Sequence, residues 1–105
     1  MKKIPARFQE FVMKYPKIAN AYENLSSECR QSGPLGEREQ ALVKLGIAAG
    51  AQTEGLVHSH VRKALDRGLQ PGEIRHAILL SLTSIGFPRM MSAMTWAEDI
   101  LQEKS

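Results

Sequence analysis

The chain of 105 residues lacks the features that mark several classes of protein. It has a single cysteine, Cys29, which excludes an internal disulfide and any metal site built from several cysteines. It has no run of eighteen or more apolar residues, the length that a membrane-spanning helix requires. The N-terminal stretch is basic but lacks the continuous apolar core of a signal peptide. These absences predict a cytoplasmic protein with no membrane partner.

The chain also lacks a strong excess of one charge, since its formal net charge is +3 and its basic residues are scattered. Nucleic-acid-binding domains usually carry a basic stripe on one face. The stretch DRGLQPGEIRHAI (66–78) has the rhythm of a helix-turn-helix motif. The residues that follow its turn, AILLSLTSIG (77–86), are apolar on every side, so they predict a buried central helix and not a recognition helix. We therefore expect no nucleic-acid partner.

Alternation of apolar and polar residues with a period of two is absent too, so the sequence predicts no strands. Turn-forming residues stand at 32–34, 50–52, 67–72 and 86–88, and between them apolar residues recur at helical spacing. Four stripes result: Ala41, Leu42, Leu45, Ala48 and Ala49; Leu56, Val57, His60, Ala64 and Leu65; Ile74, Ala77, Ile78, Ser81 and Leu82; Met91, Met94, Ala97 and Leu101. The predicted fold is all-α, with about six helices in one domain over residues 1–105.

Several helix boundaries follow from local chemistry. Gly68 is predicted to end a helix in a conformation with positive φ, which glycine adopts with least strain. Pro71 and Pro88 are predicted near helix starts, where the missing N–H costs nothing, and Glu73 suits the positive end of a helix dipole. Upstream, residues 5–12 and 16–29 predict a broken pair of helices. The side chains expected to face inward there are Phe8, Phe11, Ile18, Tyr22 and Leu25.

The predicted core is poor in large residues, because the chain has only three Phe, two Tyr and one Trp. Stretches such as LGIAAGA let helices approach closely, but each buries little area. Such a thin helical domain often completes its core with another subunit, so we expect a homo-oligomer. Met90, Met91 and Met94 are a candidate contact surface, and filling of gaps within one chain is the alternative interpretation.

The stretch TEGLVHSHVRKAL (53–65) holds the residues that suggest chemistry. Leu56, His60 and Ala64 are spaced by four, so His60 interrupts an apolar stripe. A buried imidazole costs free energy unless its nitrogens find partners. Two interpretations stay open: a core histidine bonded to a backbone carbonyl, or a general acid or base in a pocket of low dielectric.

The second histidine of this stretch, His58, lies about 200° around the helix from His60. That spacing does not form a two-histidine metal face, which needs residues i and i+4. We expect His58 to pair with Glu54 at the surface, and we predict no metal site.

Four segments follow one another in a characteristic order and spacing: YPKIANAYENL (15–25), GPLGEREQALVKLGIAAGAQ (33–52), TEGLVHSHVRKALDRGLQPGEIRHAILL (53–80) and GFPRMMSAM (86–94). Together they resemble the carboxymuconolactone decarboxylase family, which includes the alkylhydroperoxidase D proteins. The resemblance implies an alkylhydroperoxidase D-like helical domain that assembles as a trimer or hexamer. In the peroxidase branch a C-x-x-C-x-x-x-H motif lies on this helix. Here His60 matches the histidine, whereas Thr53 and Leu56 occupy the two cysteine positions.

The resemblance therefore disfavours an alkylhydroperoxidase-like peroxidase. The family glutamate twelve residues before the first cysteine is matched by Ala41, and Cys29 is distant in sequence from the motif. Leucine and threonine form no disulfide, so dithiol chemistry is not expected.

The decarboxylase branch also lacks the cysteine pair and keeps a histidine, and its chemistry needs no metal or organic cofactor. By this resemblance His60 is the candidate acid or base, while Arg62, Arg75 and Arg89 are candidate anchors for substrate carboxylates. Thr53 and Glu54 are further catalytic candidates, although Glu54 lies about 240° around the helix from His60.

Two functions of different classes remain at this point. One is a cofactor-independent lyase of unassigned substrate, acting on a small carboxylate. The other is a non-catalytic oligomeric binding or scaffold protein with the family fold. The first predicts that His60 lines a concave pocket beside a second polar group, and the second predicts that its nitrogens are satisfied within the core.

Overall fold

The computed structural model describes residues 5–104, with only the backbone of the last of these. All the regular structure in this range is helical, which confirms the predicted fold class. One helix, α6, is a single turn that the sequence pattern did not resolve. The helices are α1 (Ala6–Lys14), α2 (Pro16–Gln31), α3 (Glu37–Ala51), α4 (Glu54–Asp66), α5 (Pro71–Leu79), α6 (Leu82–Ile85) and α7 (Phe87–Lys104).

The chain divides into two compact units, one up to Pro34 and the other from Leu35 onward. The first unit holds the predicted helical pair, α1 and α2, separated by Tyr15. The prediction that its apolar side chains face inward is wrong, because no residue of either helix is buried. Phe8, Phe11, Ile18, Tyr22 and Leu25 are all exposed. Helical periodicity identifies an apolar face but does not say whether anything covers it.

The second unit contains the hydrophobic core, which α3, α4, α5 and α7 enclose. Small side chains occupy its tightest positions, since Ala48, Ala49, Ala64, Ala93 and Ala97 are all completely buried. The larger core residues are Leu45, Val57, Val61, Leu69, Ile74, Ile78, Ile100 and Leu101. Alanines at these positions let the helices approach closely, so the core is compact but holds no aromatic ring that is fully buried.

The turn between α4 and α5 agrees with the local chemistry of its residues. Gly68 has φ = 89°, and its N–H donates to the carbonyl of Leu65 while Leu69 donates to that of Ala64. These two hydrogen bonds form a Schellman motif, which satisfies carbonyl groups at the end of α4. Pro71 opens α5, as predicted.

A capping box starts α5. The Gln70 side chain accepts a bond from the backbone of Glu73, and the Glu73 carboxylate accepts one from the Gln70 N–H at 2.7 Å. Glu73 also pairs with Arg38 of α3. The pKa of Glu73 is lowered by the backbone bond from Gln70 first and by Arg38 second.

Gln52 lies between α3 and α4, and its hydrogen bonds hold the chain in place just before α4 begins. It ends α3 in the left-handed region, with φ = 56°, and its side-chain amide donates to the carbonyls of Ala49 and Arg89. One side chain therefore joins the end of α3 to the start of α7. Thr53 follows at once, so this junction also sets where α4 begins.

The prediction of a buried central helix over AILLSLTSIG is wrong. Helix α5 ends at Leu79, a turn follows at Leu80 and Ser81, and α6 is four residues long. Leu79 is 46% exposed and Leu80 is 62% exposed. None of the helices in residues 5–104 combines the length and apolarity that crossing a membrane requires.

Candidate functional site

His60 lies on α4 at the edge of the buried core. Val57, Val61 and Ala64 take the inward face of this helix, and His60 next to Val61 is half-buried. The buried face of α4 therefore passes through Val61 and not, as predicted, through His60, which lies beside that face and nearer to solvent. Within residues 5–104, neither ring nitrogen of His60 has a hydrogen-bond partner. The expectation of a core histidine bonded to a backbone carbonyl therefore does not describe this imidazole.

The surroundings of His60 lower its pKa from 6.5 to about 4. Partial burial is the largest cause, because removing water disfavours the charged form. The positive charges of Lys63, Lys44 and Arg67 lower the pKa further, in that order. His60 is therefore a neutral imidazole at neutral pH, and its free nitrogens are available to a ligand.

Three basic side chains from two helices thus act on one imidazole. Lys63 lies one turn after His60 on α4, Arg67 is the residue that caps the same helix, and Lys44 comes from α3. Arg67 also pairs with Glu37, whose carboxylate lies 3.2 Å from the Arg67 Nε. Lys44 forms no ion pair within residues 5–104. These cations could hold an anion beside His60 without a proton on the imidazole.

The arginines proposed as anchors are placed differently. Arg75 of α5 makes a two-pronged ion pair with Glu98 of α7, with N–O distances of 2.7 and 3.0 Å. Arg75 lowers the pKa of Glu98, and Glu98 in turn raises the pKa of Arg75. Arg62 is half-buried on α4, and Arg89 is exposed near the start of α7. None of the three is among the charges that lower the pKa of His60.

Thr53 and Glu54 lie at the N-terminal end of α4, away from His60. Thr53 is exposed, and its hydroxyl donates to the carbonyl of Ala51 at 3.3 Å. Glu54 is the first residue of the helix, and its carboxylate lies 4.0 Å from His58 Nε2. Leu56, which the resemblance aligned with a cysteine, is partly buried and packs against the core. Cys29 is exposed on α2.

His58 has a partner that the sequence did not indicate. Its Nε2 lies 3.0 Å from a carboxylate oxygen of Asp99, on α7, which is nearer than the predicted partner Glu54. The side chain is only 21% exposed, so His58 sits between two helices and is less exposed than predicted. Because Asp99 is 41 residues away along the chain, no spacing rule within a helix could have found it.

A groove of about 310 Å³ lies between α3 and the segment that includes α5 and α6. Its walls are mostly apolar, and His60 is not among the residues that line it. The lining residues are Leu42, Gly46, Gly50, Ala77, Leu80, Ser81, Ser84 and Ile85. Gly46 and Gly50 are four residues apart on one face of α3, and because they carry no side chain they leave room for this groove.

Comparison with known proteins gives one match. The sequence pattern of the carboxymuconolactone decarboxylase family matches residues 16–99, about four-fifths of the chain. No curated protein and no solved structure is similar enough to count as a match. The matched region includes α4 and all three cations around His60. The chain belongs to the carboxymuconolactone decarboxylase family.

Proposed function

We propose that the protein is a cofactor-independent lyase that decarboxylates a small carboxylate, with His60 as the group that handles the proton. The observation that carries this proposal is a half-buried, neutral His60 with free nitrogens beside Lys44, Lys63 and Arg67, in a chain of this family. Such a site suits an anionic substrate, because the cations attract carboxylates and partial desolvation strengthens that attraction.

The chemistry balances with these residues alone. When the bond between the carbon skeleton and its carboxylate breaks, carbon dioxide leaves and the electron pair stays on the carbon. A proton must then reach that carbon. The bound substrate's negative charge offsets Lys44, Lys63 and Arg67, which favours protonation of His60 and lets the imidazolium donate. That proton comes from solvent when the substrate binds, and His60 returns to its neutral resting form when it donates the proton to carbon.

The cations that support this proposal replace the anchors expected from the sequence. Arg75 is engaged by Glu98, and Arg62 and Arg89 do not act on His60. We propose Lys44 as the principal carboxylate anchor, because it approaches from a second helix and forms no ion pair within the described residues. Thr53 and Glu54 have no assigned step in this scheme.

The test is turnover. The purified protein is incubated with carboxymuconolactone and with other lactones bearing two or three carboxylates, and released carbon dioxide is measured. We expect His60→Gln to lower kcat by about 100-fold or more, the usual size of a general acid–base contribution. Lys44→Gln should raise KM. His76→Gln, at an exposed histidine of α5, is the matched control and should leave both constants unchanged.

Two results of that experiment would contradict the proposal. Turnover that survives in His60→Gln would remove His60 from the reaction. Absence of carbon dioxide from every substrate would favour the second candidate function, a non-catalytic oligomeric protein. One observation supports that candidate. The groove between α3 and α5 is mostly apolar, as a protein-contact surface would be, and His60 does not line it.

We further propose that the chain forms a homo-oligomer through this groove. Leu42 and Leu80 line it and are exposed, and burying apolar surface of this kind drives association of subunits. A closed symmetric assembly would cover the same surface on every copy. The family resemblance favours a trimer or a hexamer.

A dithiol peroxidase remains disfavoured. Thr53 and Leu56 supply no thiol, and Cys29 is a lone cysteine on α2. We expect no thiol-coupled reduction of peroxide, and robust turnover that persists in Cys29→Ser would overturn that expectation, because no other thiol exists in the chain.

A further inference from the structure

We propose that Glu54, His58 and Asp99 form a binding site for a divalent transition-metal cation, with zinc as the ion that fits best. Each residue offers one ligand atom, and the three atoms lie within 4.8 Å of one another. The proposal does not depend on the proposed lyase activity, since none of these three residues has a step in it.

The distances suit a metal after small adjustments. In a tetrahedral zinc site with bonds of about 2.0–2.1 Å, neighbouring ligand atoms are about 3.4 Å apart. Here His58 Nε2 lies 3.0 Å from the Asp99 oxygen and 4.0 Å from the Glu54 oxygen. Both carboxylates are substantially exposed, so rotation of their side chains can adjust each distance without moving the helices.

The placement of the ligands is also that of a metal site. Glu54 and His58 are four residues apart, so they share one face of α4, and Asp99 faces them from α7. A hydrogen bond between His58 and Asp99 accounts for two of the three groups. That hydrogen bond leaves the Glu54 carboxylate beyond hydrogen-bonding distance of the imidazole. The negative charge of Glu54 then adds to that of Asp99 beside His58.

The donor set indicates the class of ion. One imidazole nitrogen with two carboxylate oxygens suits zinc and its neighbours in the first transition row better than magnesium or calcium, which take mostly oxygen ligands. Two carboxylates neutralise the charge of a divalent cation. Because the cluster is partly exposed, water can complete the coordination.

The prediction of no metal site rested on the spacing of possible ligands along one helix. The structure supplies the third ligand from α7, which that spacing does not reveal. A bound cation would connect α4, the helix that carries His60, to α7. It would therefore raise the thermal stability of the protein, because it binds the folded state only.

The test is a zinc titration of the full chain, free of any affinity tag, in a Cys29→Ser background that removes the one competing thiol. The protein is stripped with a chelator and titrated with zinc chloride in a calorimeter. We expect one ion per chain with a dissociation constant of about 10 µM or lower. His58→Gln should weaken binding by about 100-fold, because it removes the imidazole ligand, and Asp99→Asn by about 10-fold, because it removes a carboxylate charge that neutralises the cation.

His60→Gln and His76→Gln are the matched controls, and both should bind zinc as the parent does. Circular dichroism verifies that each variant is folded; if His58→Gln fails to fold, Asp99→Asn and Glu54→Gln decide the question. No binding up to about 100 µM zinc would overturn the proposal. Unchanged affinity in the ligand variants, or loss of binding in His60→Gln, would show an adventitious ion only and would also overturn it.

Discussion

His60 shows how the setting of one residue changes its chemistry. The sequence placed it on an apolar stripe, and the structure moves it to the edge of that stripe, where it is half-buried among cations. Lys44 comes from α3 and acts on His60 only because α3 packs on α4, so spacing within one helix could not predict its contribution. Lys63 and Arg67 follow His60 by three and seven residues along α4 and its C-terminal cap, a spacing that does place them on the same side of the helix.

The lowered pKa of His60 predicts how the stability of the protein depends on pH. The unfolded chain protonates this imidazole near pH 6.5, whereas the folded protein does so only near pH 4. Between these values the unfolded state binds more protons, so stability present above pH 6.5 is lost as the pH falls toward 4. Since the imidazole is partly exposed, we expect a loss of about 1–2 kcal/mol, less than the full shift implies.

Denaturant unfolding at pH 6.5 and at pH 4.5, with a chelator present, measures this effect. Glu73 and Glu98, whose pKa values are lowered in the folded protein, add a smaller drop near pH 4.5, because their carboxylates take up protons there in the unfolded chain first. The parent and His60→Gln share that contribution, so the difference between them belongs to His60. His60→Gln should remove most of the drop, whereas His76→Gln should keep it. An equal drop in His60→Gln would assign the pH dependence to other groups.

At the scale of elements, the sequence predicted those features whose causes are local. Gly68, Pro71 and Glu73 act through their own backbone and neighbours, and all three lie where the pattern placed them. The exposed faces of α1 and α2, and the interruption after Leu79, were predicted wrongly. Both depend on what packs against a helix, and helical periodicity carries no information about that.

Replacement by alanine should have opposite effects on stability at Gly68, which has a positive φ, and at Gly50, which lies within a helix. Gly68→Ala should destabilise the protein by about 1–2 kcal/mol, because φ = 89° is strained for a residue with a Cβ. Gly50→Ala should be neutral or stabilising by up to about 1 kcal/mol, because alanine favours a helix and the new methyl group meets open space. Thermal unfolding of both variants measures the difference, and equal effects would contradict this account of the turn.

At the scale of the whole molecule, the core lies entirely within the second unit, and much apolar surface stays exposed. The buried residues are alanines and aliphatic side chains, with no aromatic residue among those fully buried in the described part of the chain. Met90 is buried, which agrees with the filling of gaps within one chain, whereas Met91 is exposed, which agrees with a contact surface. The oligomeric state and the cytoplasmic location stay predictions.

Gly46→Leu tests the proposed assembly. Gly46 lines the groove, and a Cβ at this position meets no atom within 4 Å, so a larger side chain would extend into the groove. Circular dichroism verifies that the variant is folded. It would block a partner, and we expect light scattering at micromolar concentration to show an oligomer for the parent and a smaller species for the variant. Gly72→Leu, outside the groove, is the control. A parent protein that is monomeric would contradict the proposed assembly.

The proposed function rests on His60 being a desolvated imidazole flanked by cations, and proton NMR of the histidine rings tests that most directly. The Cε1 proton of His60, assigned by its loss in His60→Gln, is followed from pH 7.5 to pH 3.5 with a chelator present. A midpoint near pH 4 is the result that the structure predicts. A midpoint near 6.5, the value of a solvated imidazole, would contradict it.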